Sequence, residues 1–476
     1  MENKLFIEQA YIDGEFISSK HTFEIINPST NKSIGSMPDL TIDDCKSAID
    51  AAYLAWESWK NTPIGERCAI VRRIYELTNQ YKSQLSEIIT LESGKPLTES
   101  LSEVDYGNAF VEWYAEEGKR AYGETIPSMN GNSNISTIKQ SIGVVAAITP
   151  WNFPLAMISR KMAPALVAGC TLVLKPASQT PFTAIALAKI CEMAGLPKSI
   201  FSVVTSKDSK GIGEELATNP LIRKLTFTGS TEVGRTLMSQ AATTIKRVSF
   251  ELGGNAPFIV FDDANINAAV QGAVAGKFRN AGQTCVSINR FFVHEAVYDE
   301  FASKLTEAVK KLKVADGLEK GSQIGPLINA SAVEKVTKHI HDAVENGASI
   351  LVGGNKLKGN FFEPTVLSNV SYDSLIQSEE TFGPICALLK FSTEEEVIHK
   401  ANDTPFGLAA YFYSENVRRC QRVSEALEAG MVGINTGLIS NAAAPFGGIK
   451  QSGIGREGSK YGLDEYLELK YLCSSI

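Results

Sequence analysis

The segment Lys224-Leu-Thr-Phe-Thr-Gly-Ser-Thr-Glu-Val-Gly234 decides the fold of this 476-residue chain. Its first five residues form a short apolar and β-branched run, typical of a buried strand, and a helical stretch over Thr231–Ala242 follows at once. Other runs of the same character alternate with helical stretches, namely Val144–Thr149, Thr171–Lys175, Phe201–Thr205 and Val248–Leu252. This alternation predicts parallel strands in βαβ units, and therefore an α/β fold.

A second alternation begins after Glu251-Leu-Gly-Gly-Asn-Ala-Pro257, which interrupts the pattern and separates two α/β regions. Its predicted elements are Phe258–Phe261, Ala268–Phe278, Arg290–Val293, Ala296–Leu312, Ala330–Glu345, Thr365–Leu367, Ile385–Lys390 and Thr393–Ala401. The first third of the chain is predicted to be helical after a short β start. One helix is predicted to begin at Thr41 and Asp44, which resemble a capping box, and a second long helical region covers Glu66–Leu91. Ile135–Ile142 alternates with polar residues and predicts a strand with one solvated face.

Composition and charge exclude several classes of function. Hydrophobic residues make up 44% and charged residues 21% of the chain, as in a globular protein, and the net charge of −7 argues against nucleic-acid binding. No apolar run approaches the about 18 residues of a membrane helix, and the N-terminus has no signal-peptide pattern. The eight scattered cysteines form no CxxC pair, which favours a reducing, cytoplasmic setting. The five histidines predict no metal site.

Candidate binding residues lie where the predicted strands end. Gly229 and Ser230 end one strand and open a helix, so their free N–H groups suit a pyrophosphate, although an ordinary βα turn remains an alternative. Lys175, in Lys175-Pro-Ala-Ser178, ends another strand on the same edge and either holds ribose or phosphate oxygens or is simply solvated. Gly453-Ile-Gly-Arg-Glu-Gly458 matches GxGxxG, but it follows no predicted strand and is interpreted as a chance match.

Three residues have chemistry suited to catalysis. Cys285 lies in a small, polar, glycine-containing segment, whereas the other seven cysteines lie in apolar contexts. Glu251 ends a buried strand, where a carboxylate is either used in chemistry or paired in a structural salt bridge. Asn152 lies between two prolines in Thr149-Pro-Trp-Asn-Phe-Pro154, and is either a rigid amide donor to an oxyanion or a turn cap.

Seven motifs, taken together and in this order, resemble the aldehyde dehydrogenase superfamily over essentially the whole chain: TPWNFP, KPAS, FTGSTEVG, ELGGNAP, GQTC, EETFGP and PFGGIKQSG. The pattern is most similar to the succinate-semialdehyde dehydrogenase branch, including the closing SGIGREGSKYG. The resemblance implies three parts: a Rossmann-like cofactor domain over residues 1–120 and 143–250, a catalytic α/β domain over 251–440, and a β-hairpin oligomerisation arm over 121–142 and 455–476. A homodimer or homotetramer is therefore expected.

The resemblance also implies the catalytic roles. Cys285 is expected to attack the aldehyde and to form a thiohemiacetal and then a thioester. Asn152 and the Cys285 N–H are expected to hold the oxyanion, and Glu251 to activate the hydrolytic water. The residues implied for cofactor binding are Trp151, Lys175, Ser178, Gly229, Ser230, Glu380 and Phe382. Because Ser178 stands where NAD-preferring relatives commonly carry glutamate, NADP is expected to be preferred, with NAD as a weaker alternative.

For the substrate, the resemblance implies that Arg160, Arg279 and Ser440 grip a distal carboxylate, since arginine binds carboxylates through two parallel hydrogen bonds. Succinate semialdehyde is the expected substrate, and glutarate semialdehyde and lactaldehyde are the alternatives. A non-catalytic structural protein is a remote alternative, because such a relative should have lost one of the three catalytic residues. Ser287 stands where some members carry a second cysteine, which puts an internal disulfide switch in doubt.

Overall fold

Two large β-sheets flanked by helices organise the chain in the computed structural model, which describes residues 3–475. The strands are β1 (Ala10–Ile12), β2 (Glu15–Ile17), β3 (Thr22–Asn27), β4 (Lys32–Pro38), β5 (Thr125–Ile126), β6 (Ser133–Ser141), β7 (Val144–Ile148), β8 (Thr171–Lys175), β9 (Phe201–Val203), β10 (Ile222–Thr228), β11 (Arg247–Glu251), β12 (Ala256–Val260), β13 (Ile288–His294), β14 (Ser349–Val352), β15 (Thr365–Ser368), β16 (Ile385–Phe391), β17 (Ala409–Tyr413), β18 (Met431–Ile434), β19 (Gly453–Ile454) and β20 (Leu467–Ser475).

The helices pack against the faces of these sheets. They are α1 (Ile42–Trp59), α2 (Ile64–Gln80), α3 (Lys82–Ser93), α4 (Leu97–Glu117), α5 (Ala156–Ala168), α6 (Pro181–Met193), α7 (Ser209–Thr218), α8 (Thr231–Ala241), α9 (Ile266–Phe278), α10 (Tyr298–Val309), α11 (Ala330–Glu345), α12 (Leu375–Ser378), α13 (Glu394–Asn402), α14 (Val417–Ala426) and α15 (Ser459–Asp464). None of them, within the described residues, combines the length and apolar character that crossing a membrane requires.

The first sheet has the strand order β19-β11-β10-β7-β8-β9-β1-β2. Its five central strands are parallel, and β19, β1 and β2 add antiparallel edges. From β7 the chain proceeds to β8 and β9 on one side and then returns to β10 and β11 on the other. The carboxyl ends of β7 and β10 therefore flank a topological switch point, where open α/β sheets bind ligands.

The second sheet has the order β14-β15-β16-β13-β12-β17-β18, and all of its pairs except β14–β15 are parallel. A separate antiparallel sheet, β20-β6-β5, contains the predicted Ile135–Ile142 strand, and β3 and β4 form a hairpin. The predicted α/β class, with two α/β regions and a small β arm, is thus confirmed.

Two predicted boundaries are wrong. The single helical region over Glu66–Leu91 is two helices, because the chain leaves helical geometry at Tyr81 (φ −98°, ψ 14°) between α2 and α3. The stretch 455–466, assigned to the arm, includes α15, which packs against α4 and α5 beside the first sheet. The C-terminal strand of the arm begins only at Leu467.

Candidate active site

The carboxyl ends of the central strands of the first sheet meet at one edge, as their positions in the sequence predict. In the sheet register, Ile148 lies opposite Lys175, and Thr228 lies opposite Glu251. A cavity of about 370 Å³ opens at this edge, between the two large sheets. Its lining includes six predicted site residues and both of the predicted glycine-turn residues: Cys285, Glu251, Asn152, Trp151, Glu380, Phe382, Gly229 and Ser230.

Cys285 lies half-buried on a loop that lines the cavity, and sharp turns precede it in the chain. Asn280 (φ 51°), Ala281 (φ 54°) and Gly282 (φ 76°) are successive left-handed residues, and a Cβ at Gly282 would collide with the Gly383 carbonyl. Burial raises the pKa of the Cys285 thiol to about 12, although the Arg160 and Arg279 cations oppose the rise. Burial thus opposes ionisation of the thiol, and the two cations favour it.

Asn152 is fixed by a buried polar network that sequence reasoning missed. Its side-chain Nδ2 donates to the Gln283 carbonyl (3.1 Å), and its main-chain oxygen accepts from Lys95 Nζ (2.6 Å) and Asn280 Nδ2 (3.0 Å). Lys95 is fully buried and forms an ion pair with Glu103. Asn152 is thus held beside the loop of Cys285 by Lys95, which precedes α4, and by two residues of the cysteine loop itself.

Glu103 also connects this network to α5. Its Oε1 accepts from the N–H of Leu155 (2.9 Å) at the start of that helix, where a carboxylate is favoured by the helix dipole. A lysine and a glutamate eight residues apart resemble ordinary surface charges in the sequence. Only the packing of α4 against α5 reveals that both are buried.

Glu251 lies beside a second buried carboxylate, Glu457, and this pairing was also missed. Glu457 forms ion pairs with Arg160 and Lys161, and Lys161 Nζ donates to Thr228 Oγ1 (2.7 Å). Burial, followed by the charge of Glu457, raises the pKa of Glu251 well above its ordinary value. Glu457 responds in the opposite way, because the two cations outweigh its burial and lower its pKa.

Glu457 belongs to the Gly453–Gly458 motif that was interpreted as a chance match. The motif forms no cofactor loop: Gly453 lies in β19, which pairs with β11, and Gly458 precedes α15. Its glutamate nevertheless contributes to the site. The position of Glu457 directly before Gly458, in a glycine-containing segment, was the only signal in the sequence that could have drawn attention to it.

The two predicted substrate arginines lie near Cys285 without lining the cavity. The Arg160 guanidinium is fully buried over the Phe446 ring (4.5 Å), and its Nη2 has no partner among the described residues. Arg279 is half-buried over the Phe153 ring (5.1 Å). Ser440 lies half-buried in the segment after β18, and its neighbours Ile439 and Asn441 line a different depression.

Lys175 and Ser178 lie at the same sheet edge, outside the cavity lining. Lys175 Nζ is nearly buried, with the Pro176 carbonyl as its hydrogen-bond partner (3.2 Å), and burial lowers its pKa to about 8. Ser178 is half-buried in the loop before α6. Ser230 is the N-cap of α8 and accepts from the Val233 N–H (3.3 Å), so the first turn of α8 faces the same edge.

Glu380 lies at the opposite wall of the cavity. Its Oε1 accepts from the Gly254 N–H (3.1 Å), and a Cβ at Gly253 would lie 3.0 Å from its Oε2, so glycine leaves room for the carboxylate. Burial raises the pKa of Glu380 to about 7. The Phe382 ring meets Trp151 edge-on at 5.6 Å.

These residues fit a dinucleotide cofactor and a small aldehyde. Asn152 Oδ1 and Glu251 Oε2 are buried in the lining without a partner among the described residues, as groups that contact a substrate or water would be. A helix N-terminus, a carboxylate and two aromatic rings surround the remaining space. Within residues 3–475 the structure contains no cluster of side chains able to hold a metal ion.

Comparison with known proteins identifies the relatives of this chain. A model described as the aldehyde dehydrogenase family matches residues 16–472. The chain is 54% identical to a succinate-semialdehyde dehydrogenase [NADP(+)] of Escherichia coli over 100% of this chain and 99% of that protein. It is also 54% identical to a glutarate-semialdehyde dehydrogenase of Pseudomonas putida, with 99% of each chain covered. A crystal structure of succinate-semialdehyde dehydrogenase from Burkholderia pseudomallei superposes with a TM-score of 0.98 at 55% identity, covering 99% of this chain and 98% of that one.

Proposed function

This chain belongs to the aldehyde dehydrogenase family, and from that membership we propose that it oxidises succinate semialdehyde to succinate with NADP in preference to NAD. The observation that carries the substrate assignment is the pair of guanidinium groups beside Cys285. Arg160 and Arg279 both lie close enough for their charge to oppose the rise in the thiol's pKa. An aldehyde with a distal carboxylate is attracted by these two cations, whereas an uncharged aldehyde gains nothing from them.

The covalent step belongs to Cys285. The thiol loses its proton to water, and the thiolate attacks the aldehyde carbon. The resulting thiohemiacetal oxyanion accepts hydrogen bonds from the Cys285 N–H and from the second N–H of Asn152 Nδ2, the one that does not donate to Gln283. Asn152 is well suited to this because Lys95, Asn280 and Gln283 fix it before substrate arrives. The nicotinamide cofactor, when bound, supplies the hydride acceptor that allows the thiohemiacetal to become a thioester.

Glu251 then serves the hydrolysis of the thioester. Its raised pKa makes it a proton acceptor of useful strength, and its free Oε2 is available to a water molecule. The negative charge of Glu457 contributes to the raised pKa of Glu251, and the Lys161 cation opposes it. Water attack releases the acid and regenerates the thiol.

Cofactor binding is proposed to follow the sheet edge. Lys175 and Ser178 contact the adenosine ribose and its 2′-phosphate, and Gly229 and Ser230 lie at the pyrophosphate. Glu380 holds the nicotinamide ribose, with Trp151 and Phe382 beside the ring. Ser440 is proposed to complete the carboxylate site.

A second candidate substrate is glutarate semialdehyde, because one relative carries that name at the same identity. It shares the distal carboxylate and is one carbon longer. Comparing kcat/KM for the two aldehydes therefore reports on the length of the substrate pocket, because both substrates carry the same charge.

The chain is further proposed to work as a cytoplasmic homo-oligomer, a dimer or tetramer. The sheet β20-β6-β5 exposes large apolar side chains, including Leu469 and Tyr471, and the edge of the second sheet at β18 has no partner strand in the described chain. Such features are normally covered by another subunit. The cytoplasmic location rests on the scatter of the eight cysteines along the sequence.

The test compares initial rates with succinate semialdehyde, glutarate semialdehyde and butanal, each with NADP and with NAD. The proposal expects the highest kcat/KM for succinate semialdehyde with NADP. Arg279→Met should raise KM for the two acidic aldehydes and leave butanal nearly unchanged, because only the acidic substrates lose a charged contact. Equal kcat/KM values for butanal and succinate semialdehyde in the wild-type enzyme would contradict the assignment.

A further inference from the structure

The loop over residues 379–382, which follows α12 and is here called the glutamate loop, is held on its strand side by the second sheet. Asn289, in β13, donates through Nδ2 to the Glu379 carbonyl (3.1 Å). The loop also contains strain, because Phe382 adopts a left-handed conformation (φ 55°) that is unfavourable for an aromatic residue. Neighbouring contacts must therefore stabilise its shape.

On its helix side the glutamate loop is held by one side chain, His339 of α11. The imidazole is fully buried, with Nδ1 at 3.1 Å from Thr381 Oγ1 and Nε2 at 3.1 Å from Glu379 Oε2. Both ring nitrogens thus bind the loop, on the residues immediately before and after Glu380. The second histidine of α11, His341, is exposed and makes no such contact.

Hydrogen-bonding logic fixes the state of this histidine. The Glu379 carboxylate can only accept, so Nε2 carries the proton and donates to it. Nδ1 then accepts from the Thr381 hydroxyl, and every donor has a partner in the neutral tautomer. Burial lowers the pKa of His339, which favours the same neutral form.

We propose that His339 is a positioning residue that sets Glu380 for the nicotinamide ribose. It fixes the residues on both sides of Glu380, and hence the direction of the carboxylate, which also accepts from the Gly254 N–H. The inference rests on the proposed function, because it takes Glu380 as the ribose ligand. Its consequence is local: losing His339 weakens the nicotinamide half of the cofactor site and leaves the adenosine half, at Lys175 and Ser178, intact.

The test is a binding experiment on the purified enzyme without aldehyde. His339→Ala should raise the dissociation constant for NADP about tenfold, as expected for the loss of two hydrogen bonds. Binding of adenosine 2′,5′-bisphosphate, which has no nicotinamide ribose, should change by less than about twofold. The matched control is His341→Ala on the same helix, for which both constants should equal those of the wild type.

A merely structural role predicts a different pattern. In that case His339→Ala would raise the dissociation constants for NADP and for adenosine 2′,5′-bisphosphate by the same factor. Alternatively, it would slow alkylation of Cys285 by iodoacetamide by the same factor as it weakens NADP binding. Either result overturns the proposal, as does an unchanged dissociation constant for NADP. If His339→Ala does not fold, Thr381→Val removes one of the two contacts, and the same selective loss of NADP affinity is expected of it.

Failure here is distinguishable from failure of the proposed function. None of these measurements uses an aldehyde, so an enzyme that binds NADP selectively but does not oxidise succinate semialdehyde would contradict only the substrate assignment. Conversely, full activity of the wild type combined with unselective weakening in His339→Ala would contradict only the role of His339.

Discussion

At the scale of single residues, we expect the Ser178 side chain to decide the choice of cofactor. Ser178→Glu would place a carboxylate beside the 2′-phosphate of NADP, and like-charge juxtaposition costs several kcal/mol. The dissociation constant for NADP should rise at least about tenfold, while that for NAD should stay equal or fall. Steady-state kcat/KM with each cofactor measures the shift. A ratio that does not change would mean that Ser178 does not approach the 2′-phosphate.

If Lys175 contacts the 2′-phosphate as proposed, cofactor binding should depend on pH. Burial lowers the pKa of Lys175 to about 8 in the free enzyme, and only the protonated form attracts a phosphate. Affinity for NADP should therefore be full below that pKa and decline as pH rises through it, whereas affinity for NAD should change less. Lys175→Arg keeps its charge throughout this range, so its NADP affinity should be flat with pH. Equal pH profiles for the wild type and Lys175→Arg would argue against this role.

At the scale of elements, the Lys95–Glu103 pair joins α4 to the loop that holds Asn152. Lys95→Met leaves Glu103 buried without its cation, which should cost about 3–5 kcal/mol of unfolding free energy and lower kcat through Asn152. Urea unfolding and initial rates measure the two effects. Lys82→Met, which breaks a partly exposed pair with Asp105, is the matched control and should cost less than about 1 kcal/mol.

The cause of this loss has its own test. Adding Glu103→Gln to Lys95→Met removes the uncompensated charge, and part of the lost stability should return. A double variant no more stable than Lys95→Met alone would show that packing, and not charge, is responsible.

Elements with a clear local signal were predictable from the sequence. β8 has the predicted bounds of Thr171–Lys175, because a β-branched run ends there at Lys-Pro, and α11 has those of Ala330–Glu345. By contrast, α5 was not predicted. All of its residues are buried, and it contains Pro164, so it shows no apolar face to distinguish it from a buried strand.

Residues that carry the chemistry themselves were predictable from the sequence. Residues that act by pairing with or positioning another side chain were not. Cys285, Glu251 and Asn152 were selected from their local context, and the cavity brings all three together. Lys95 and Glu457 were not selected, since their importance arises from helices that meet only in the folded chain. A charge in a sequence gives no indication of whether folding will bury it.

At the scale of the whole molecule, the arm should control assembly. Leu469 and Tyr471 are 66% and 61% exposed on one face of β20. Changing both to Asp should shift the enzyme to a smaller species in sedimentation velocity, without lowering its helical circular dichroism. Leu54→Asp, at a similarly exposed leucine of α1, is the control and should keep the wild-type sedimentation coefficient. An unchanged coefficient in the double variant would contradict the role of the arm.

The ion pairs of Glu457 have a consequence for how the protein is made. Arg160 and Lys161 leave the ribosome long before Glu457, and β19 and α15, which complete the first sheet and its helical layer, emerge later than every strand of the second sheet. Until Glu457 is made, Arg160 and Lys161 could be buried only without their anion. We therefore expect the first α/β region to reach its native state only once the segment with Glu457 has been synthesised, and not as an independent N-terminal unit.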